Sequence, residues 1–156
     1  MVIFALAFAL VSVAVDQLTK IFLYGKSFSV IGEFLWVESA FNDGAAFGFF
    51  SGGLWFFIIL SIIVIAFVLY VLFSGKVGNS KFLGITLGLL LGGIIGNLID
   101  RIVFGCVRDF IYFKSIGFAI FNFADAFICV SMVMLIIYVL FIYKPPEKVK
   151  VKEEEK

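Results

Sequence analysis

The chain has 156 residues, 63% of them hydrophobic, with a net charge of +1 at pH 7 and a mean hydropathy of +1.20. A soluble domain is about 45–50% apolar, so this composition belongs to an integral membrane protein, and the near-zero charge gives no reason to expect a nucleic-acid partner. It has no histidine and two cysteines, which excludes Ser-His and Cys-His catalysis, His-ligated zinc and an HExxH site and leaves carboxylates, lysines and tyrosines for acid–base work. Cys106 and Cys129 lack paired spacing and read as small apolar fillers.

Four apolar segments are long enough to span a bilayer, which takes roughly 20 residues. The first, about 2–24, is interrupted by Asp16 and Lys20. It has no charged start, and the polar Asp16-Gln17-Leu18-Thr19-Lys20 lies where a leader would be cut, so it reads as a retained helix. Residues 25–53 form a loop. Its stretch 28–41 is rich in Phe, Val, Ile and Trp with Gly32 as a break, which predicts two or three short strands in a small sheet over the bundle. Asn42-Asp43-Gly44 then reads as a turn, and small Ala45 and Ala46 allow close backbone approach.

The second span, 54–73, is uncharged throughout. The third, about 82–103, carries Gly84, Gly88, Gly92 and Gly96 at spacing four, plus Gly93. Small residues at that spacing let membrane helices approach closely. The stripe drifts about 40° per step, yet it still turns Asn97 and Asp100 towards a neighbouring helix. The fourth span is about 122–143. Residues 144–156 hold five lysines and four glutamates and open with Pro145-Pro146, which stops the helix and leaves a solvated charged tail. The domain reading is one membrane-embedded unit over 1–143 with this tail behind it.

Lysine placement sets orientation. Lys76 and Lys81 flank the second connection, and the tail carries five more, so both belong inside. The loop 25–53 sets Lys26 against Glu33, Glu38 and Asp43 and belongs outside. Both termini are then cytoplasmic. It follows that Asp16, Gln17 and Lys20, then Asn97, Asp100 and Arg101, then Asn122 and Asp125 all lie at the outer ends of their helices. Topology alone thus brings the unusual polar residues to one level, near the outer water interface.

Two aspartates that share a space cannot both ionise easily, so one stays protonated. Such a pair can hydrolyse an amide without metal or cofactor: the anion takes a proton from water, and the acid hydrogen-bonds the carbonyl oxygen. Four aspartates are candidates: Asp16, Asp100, Asp109 and Asp125. Lys20 stands four residues after Asp16, Arg101 follows Asp100, and Arg108 is a further neighbour for Asp100 although it adjoins Asp109, so side-chain chemistry only mildly favours Asp109 with Asp125. The plainer alternative, that all four are buried ion pairs and helix caps, stays open at this point.

Five blocks in order resemble the signal peptidase II family, the lipoprotein signal peptidases of bacteria. They are Asp16-Gln17-Leu18-Thr19-Lys20, Asn42-Asp43-Gly44-Ala45-Ala46-Phe47-Gly48, Gly93 through Arg101 with Gly96, Asn97 and Asp100 inside it, Val107-Arg108-Asp109-Phe110, and Phe121-Asn122-Phe123-Ala124-Asp125. The resemblance covers about residues 5–143. It implies an all-α integral membrane protein of four transmembrane helices, with a small extracytoplasmic β-sheet in the first outer loop and a mobile element before the fourth helix. It also implies an aspartic endopeptidase of the plasma (inner) membrane with Asp109 and Asp125 as the catalytic dyad. Asp16, Lys20, Asn42, Gly44, Asn97, Asp100, Arg101 and Asn122 would bind substrate or support the dyad. The implied substrate is a diacylglyceryl-modified prolipoprotein cut just before its lipidated cysteine, and the implied inhibitor is globomycin. No cofactor or metal is implied, and nothing asks for more than a monomer. Only fifteen residues separate Asp109 from Asp125, and no proline precedes Phe121 closely, which points to a trimmed mobile segment.

Two other functions compete on residue chemistry alone: a small carrier with ion-binding carboxylates, and a non-catalytic scaffold packed by its glycine stripe. A carrier needs polar groups through the full membrane depth. The second span is apolar throughout, and the inner halves of the others nearly so, which disfavours it.

Overall fold

A computed structural model describes residues 1–44, 52–75 and 79–143. Ala45, Ala46, Phe47 and Gly48, Lys76, and the charged tail 144–156 with its proline pair lie outside the described residues. In chain order the elements are α1 (Val2–Leu23), β1 (Ser27–Ile31), β2 (Leu35–Asn42), α2 (Leu54–Phe73), α3 (Lys81–Phe104), β3 (Val107–Tyr112) and α4 (Phe123–Ile137). A π-type turn, Tyr138–Ile142, prolongs α4. Among the described residues, four helical stretches of 20 to 24 residues are long and apolar enough to cross a membrane, about 30–36 Å at 1.5 Å per residue. The all-α membrane architecture with a small sheet is the one expected.

Helix α3 is the axis of the bundle because its glycines remove the side chains that would hold neighbours away. A Cβ added at Gly84 would lie 2.6 Å from the Met1 carbonyl oxygen, at Gly88 2.5 Å from that of Ala5, and at Gly92 2.7 Å from that of Ala9. Ala5 and Ala9 belong to α1 and Met1 is its N-cap, so α1 lies along the stripe. Gly93 is turned the other way: a Cβ there would lie 2.6 Å from the Ala124 carbonyl oxygen of α4. Gly96 faces the Asp16 carboxylate, so the last glycine of the stripe makes room for a polar group. Below this level the interior is mainly apolar: Ala5, Ala9, Val68, Leu72, Leu83, Leu87 and Leu91 are all buried, and the buried hydroxyls of Thr86 and Ser131 donate to carbonyls of their own helices.

The sheet is antiparallel in the order β1-β2-β3. Only two of its strands come from the loop between α1 and α2. The third, β3, follows α3, outside the loop where the strands were expected. Val107, Asp109 and Ile111 alternate with Arg108, Phe110 and Tyr112, but the charged pair in the middle hides the apolar period that marks a strand. Register sets Ala40 opposite Asp109 and Asn42 opposite Val107.

Candidate active site

Asp109 and Asp125 are brought to one place by the backbone just ahead of α4. The Phe121 carbonyl accepts from the N–H groups of Phe110 (3.0 Å) and Ile111 (2.8 Å), and Phe121 N–H donates to the Ile111 carbonyl (3.0 Å). The strand carrying Asp109 is thereby stitched to the residue that precedes the helix carrying Asp125.

That helix starts with a reciprocal cap. Asn122 Oδ1 accepts from Asp125 N–H at 3.0 Å, and Asp125 Oδ2 accepts from Asn122 N–H at 3.1 Å. Asn or Asp at both positions satisfies backbone donors that a helix start leaves unpaired. The same Asn122 donates through Nδ2 to Asp109 Oδ1 at 2.6 Å and to Asn97 Oδ1 at 3.1 Å. Asn97 Nδ2 donates to Asp125 Oδ1 at 2.7 Å, and Asn42 Nδ2 donates to Asp109 Oδ2 at 2.9 Å. Each of the four carboxylate oxygens therefore faces an N–H donor.

The three amides are held in these orientations by their other ends. Asn42 Oδ1 accepts from Gly44 N–H at 3.0 Å. Asn122 Oδ1 is engaged in the cap. Asn97 Oδ1 accepts from the Lys20 ammonium at 3.0 Å.

Behind the asparagines lies a closed ion cluster. Lys20 Nζ is 2.9 Å from Asp16 and 3.2 Å from Asp100, with all three side chains fully buried. Arg108 binds Asp100 through Nη2 at 2.7 Å and Nε at 3.3 Å, and its backbone N–H adds a bond at 2.9 Å. Two carboxylates thus meet two cations. Gln17 bridges the group, donating to Asp16, Asp100 and the Gly96 carbonyl and accepting from Arg108. Asp16 Oδ1 also accepts from Ala124 N–H at 3.0 Å, which ties α1 to the first turn of α4.

Asp100 and Arg101 adjoin in sequence but part ways in space. Asp100 enters the ion cluster. The Arg101 guanidinium stands 4.8 Å from the centre of the Phe57 ring, with Nη2 3.4 Å from the Gly44 carbonyl oxygen. A cavity of about 580 Å³ opens there, with Asn42, Asn97, Arg101 and Asp125 at its polar end and Phe57, Ile94 and Ile128 leading into the bundle.

Of the anticipated residues, Asp109, Asp125, Asn42, Asn97 and Asn122 share one hydrogen-bonded network. Asp16, Lys20 and Asp100 stand behind it, and Arg101 and Gly44 face the cavity. Gln17, expected at this level, bridges the cluster, and Arg108, weighed as a neighbour of Asp100, binds it. The period of two in β3 turns Arg108 away from Asp109, and that was the available signal. Burial, then the nearby charge of Asp125, pushes the Asp109 carboxyl up to about 7, against the opposing effect of the Asn42 and Asn122 hydrogen bonds. Two adjacent carboxyls that hold one proton near neutral pH can act as base and acid in a single hydrolysis.

Residues 8–141 match the family described as signal peptidase (SPase) II. A lipoprotein signal peptidase of Bacillus pumilus is 40% identical over 140 residues, covering 85% of this chain and 89% of that protein. Two solved structures, described as bacterial membrane enzymes obtained by the in meso method at 2.3 and 1.9 Å resolution, align with TM-scores of 0.77 each. They are 32% and 36% identical, covering 92% and 89% of this chain and 94% of each of theirs.

Proposed function

The chain belongs to the signal peptidase II family of aspartic-type bacterial membrane proteases that remove signal peptides from lipoproteins, and on that footing we propose that Asp109 and Asp125 are its catalytic dyad. The observation that carries this reading is the double use of Asn122: one side chain caps the helix that bears Asp125 and hydrogen-bonds Asp109. Asn42, Asn97 and Asn122 hold the dyad, while Asp16, Lys20 and Asp100 hold the asparagines and the helix start. Arg101 is better placed than Asn42 to grip the substrate backbone, since both ends of the Asn42 amide are engaged within the protein. Gly44 stands on the same wall, its N–H held by Asn42 and its carbonyl by Arg101.

The substrate in this reading is a prolipoprotein whose cysteine already carries a diacylglyceryl thioether, cut just before that cysteine. The apolar reach of the cavity towards Ile94 and Ile128 suits acyl chains entering sideways from the lipid. A dyad at the end of the bundle meets the scissile bond where a signal helix leaves the membrane and water is at hand. We place that end at the outer face of the plasma membrane, with both termini cytoplasmic, because Lys81 opens α3 at the opposite end and the sequence sets Lys76 and the five tail lysines next to the helix ends on that side. Globomycin would occupy the same cavity. Residues 1–143 act as one peptidase unit, a monomer suffices for the chemistry, and the charged tail takes no part.

Incubating the purified protein with a diacylglyceryl-modified prolipoprotein peptide and its unlipidated twin tests this. Mass spectrometry should show a product beginning at the lipidated cysteine, blocked by globomycin, and cleavage of the unlipidated twin slower by at least about a hundredfold, because remote binding energy is spent at the reacting bond. Equal cleavage of the two peptides would remove the lipid from the reading.

A further inference from the structure

We propose that the dyad is asymmetric: Asp125 is the carboxylate that takes the proton from water, Asp109 carries the dyad's own proton, and Lys20 acting through Asn97 is the positioning pair that sets this order. The inference deepens the dyad reading above and rests on it.

Asp125 borders the cavity, whereas Asp109 is 1% exposed. Water in the cavity therefore meets Asp125. Asp125 is also the third residue of α4, at the helix end where backbone N–H groups favour an anion.

The Lys20 ammonium has donors only, so Asn97 must present Oδ1 to it. Nδ2 is then turned to Asp125. Reversing the amide would set donor against donor at Lys20 and oxygen against oxygen at Asp125. Positive charge thus reaches Asp125 through one amide, while the route to Asp109 passes through Asn97 and Asn122 in turn. Asp16 from α1 and Arg101 from α3 also face the pair. Helix α2 has no charged residue. On β3, Arg108 is held by Asp100.

The step balances as follows. Water adds its oxygen to the scissile carbonyl carbon as one of its protons passes to Asp125 and the Asp109 proton passes to the carbonyl oxygen, giving a gem-diol. The C–N bond then breaks as Asp125 returns its proton to the leaving nitrogen and a gem-diol hydroxyl proton passes to Asp109. The products are a carboxylic acid and an amine, and the dyad is restored.

The test is the pH dependence of kcat/KM for the full-length protein with the diacylglyceryl-modified peptide, in wild type, Asn97→Ala and Asn42→Ala. Losing a hydrogen bond to a carboxylate raises that group's pKa, here by about one unit. Asn97→Ala should lift the acid limb by about one pH unit and leave the alkaline limb in place. Asn42→Ala should lift the alkaline limb and leave the acid limb in place. Exchanged limbs, or both limbs moving together in each variant, overturn the assignment. If Asn97→Ala does not fold, Asn42→Ala decides alone. Failure of the dyad itself reads differently, as wild-type turnover in Asp109→Asn or Asp125→Asn.

Discussion

Replacing either dyad aspartate by asparagine should cut turnover of a diacylglyceryl-modified peptide on the order of a thousandfold, the scale of lost general acid–base catalysis. Asparagine keeps the size of the side chain but neither takes a proton from water nor gives one to the carbonyl oxygen. Its NH₂ would also face a donor. Both Asp109 oxygens accept from amides fixed elsewhere, and both Asp125 oxygens accept from Asn97 and the Asn122 backbone. Some local loosening is therefore expected in both variants, but not unfolding, since α4 keeps its Asn122 cap and β3 keeps its bonds to Phe121. Thermal unfolding in detergent checks the fold, and a timed cleavage assay checks the rate. A variant with its fold intact and turnover within tenfold of wild type contradicts the assignment of that residue.

The second large effect is on stability. Lys20→Met should lower the unfolding midpoint by about 10 °C. Lys20 is fully buried between Asp16 and Asp100. Removing its ammonium leaves two buried carboxylates with Arg108 as the remaining partner of Asp100 and only Gln17 and a backbone N–H at Asp16. Breaking a buried ion pair in this way costs about 3–5 kcal/mol, and each kcal/mol moves a chain of this length by about 2–4 °C. Asn97 also loses the group that fixes its amide, so activity should fall in molecules that remain folded. A midpoint unchanged in Lys20→Met would show that the ammonium does not hold the cluster together.

Much of this was legible in the residues. Apolar run lengths marked four spans, and the glycine stripe marked the helix against which others pack. The lysine pattern sent Asp16, Asn97, Asp100 and Asp125 to one end. What stayed hidden was the means of assembly. The strand holding Asp109 reads as a polar motif, because Arg108 and Asp109 occupy its middle and its partner strand lies some 70 residues earlier in the chain. That Arg108 comes near Asp100 was legible, but its three bonds to that carboxylate follow from the strand's alternation. The double duty of Asn122 was only half visible. Asn followed by Asp three residues later signals a helix cap, but nothing local says that the same side chain also reaches Asp109. Asp16 was legible as an i,i+4 partner of Lys20, yet its bond to Ala124 joins residues 108 apart and appears only in three dimensions.

If Asp109 and Asp125 serve one proton-transfer step, their losses must overlap. Single-turnover cleavage by Asp109→Asn, Asp125→Asn and the double variant measures this directly, because groups acting as a unit are strongly non-additive. The double variant should be no slower than the slower single variant, within a few-fold. A double loss equal to the product of the two single losses would mean that the carboxyls work independently, and would contradict a shared dyad.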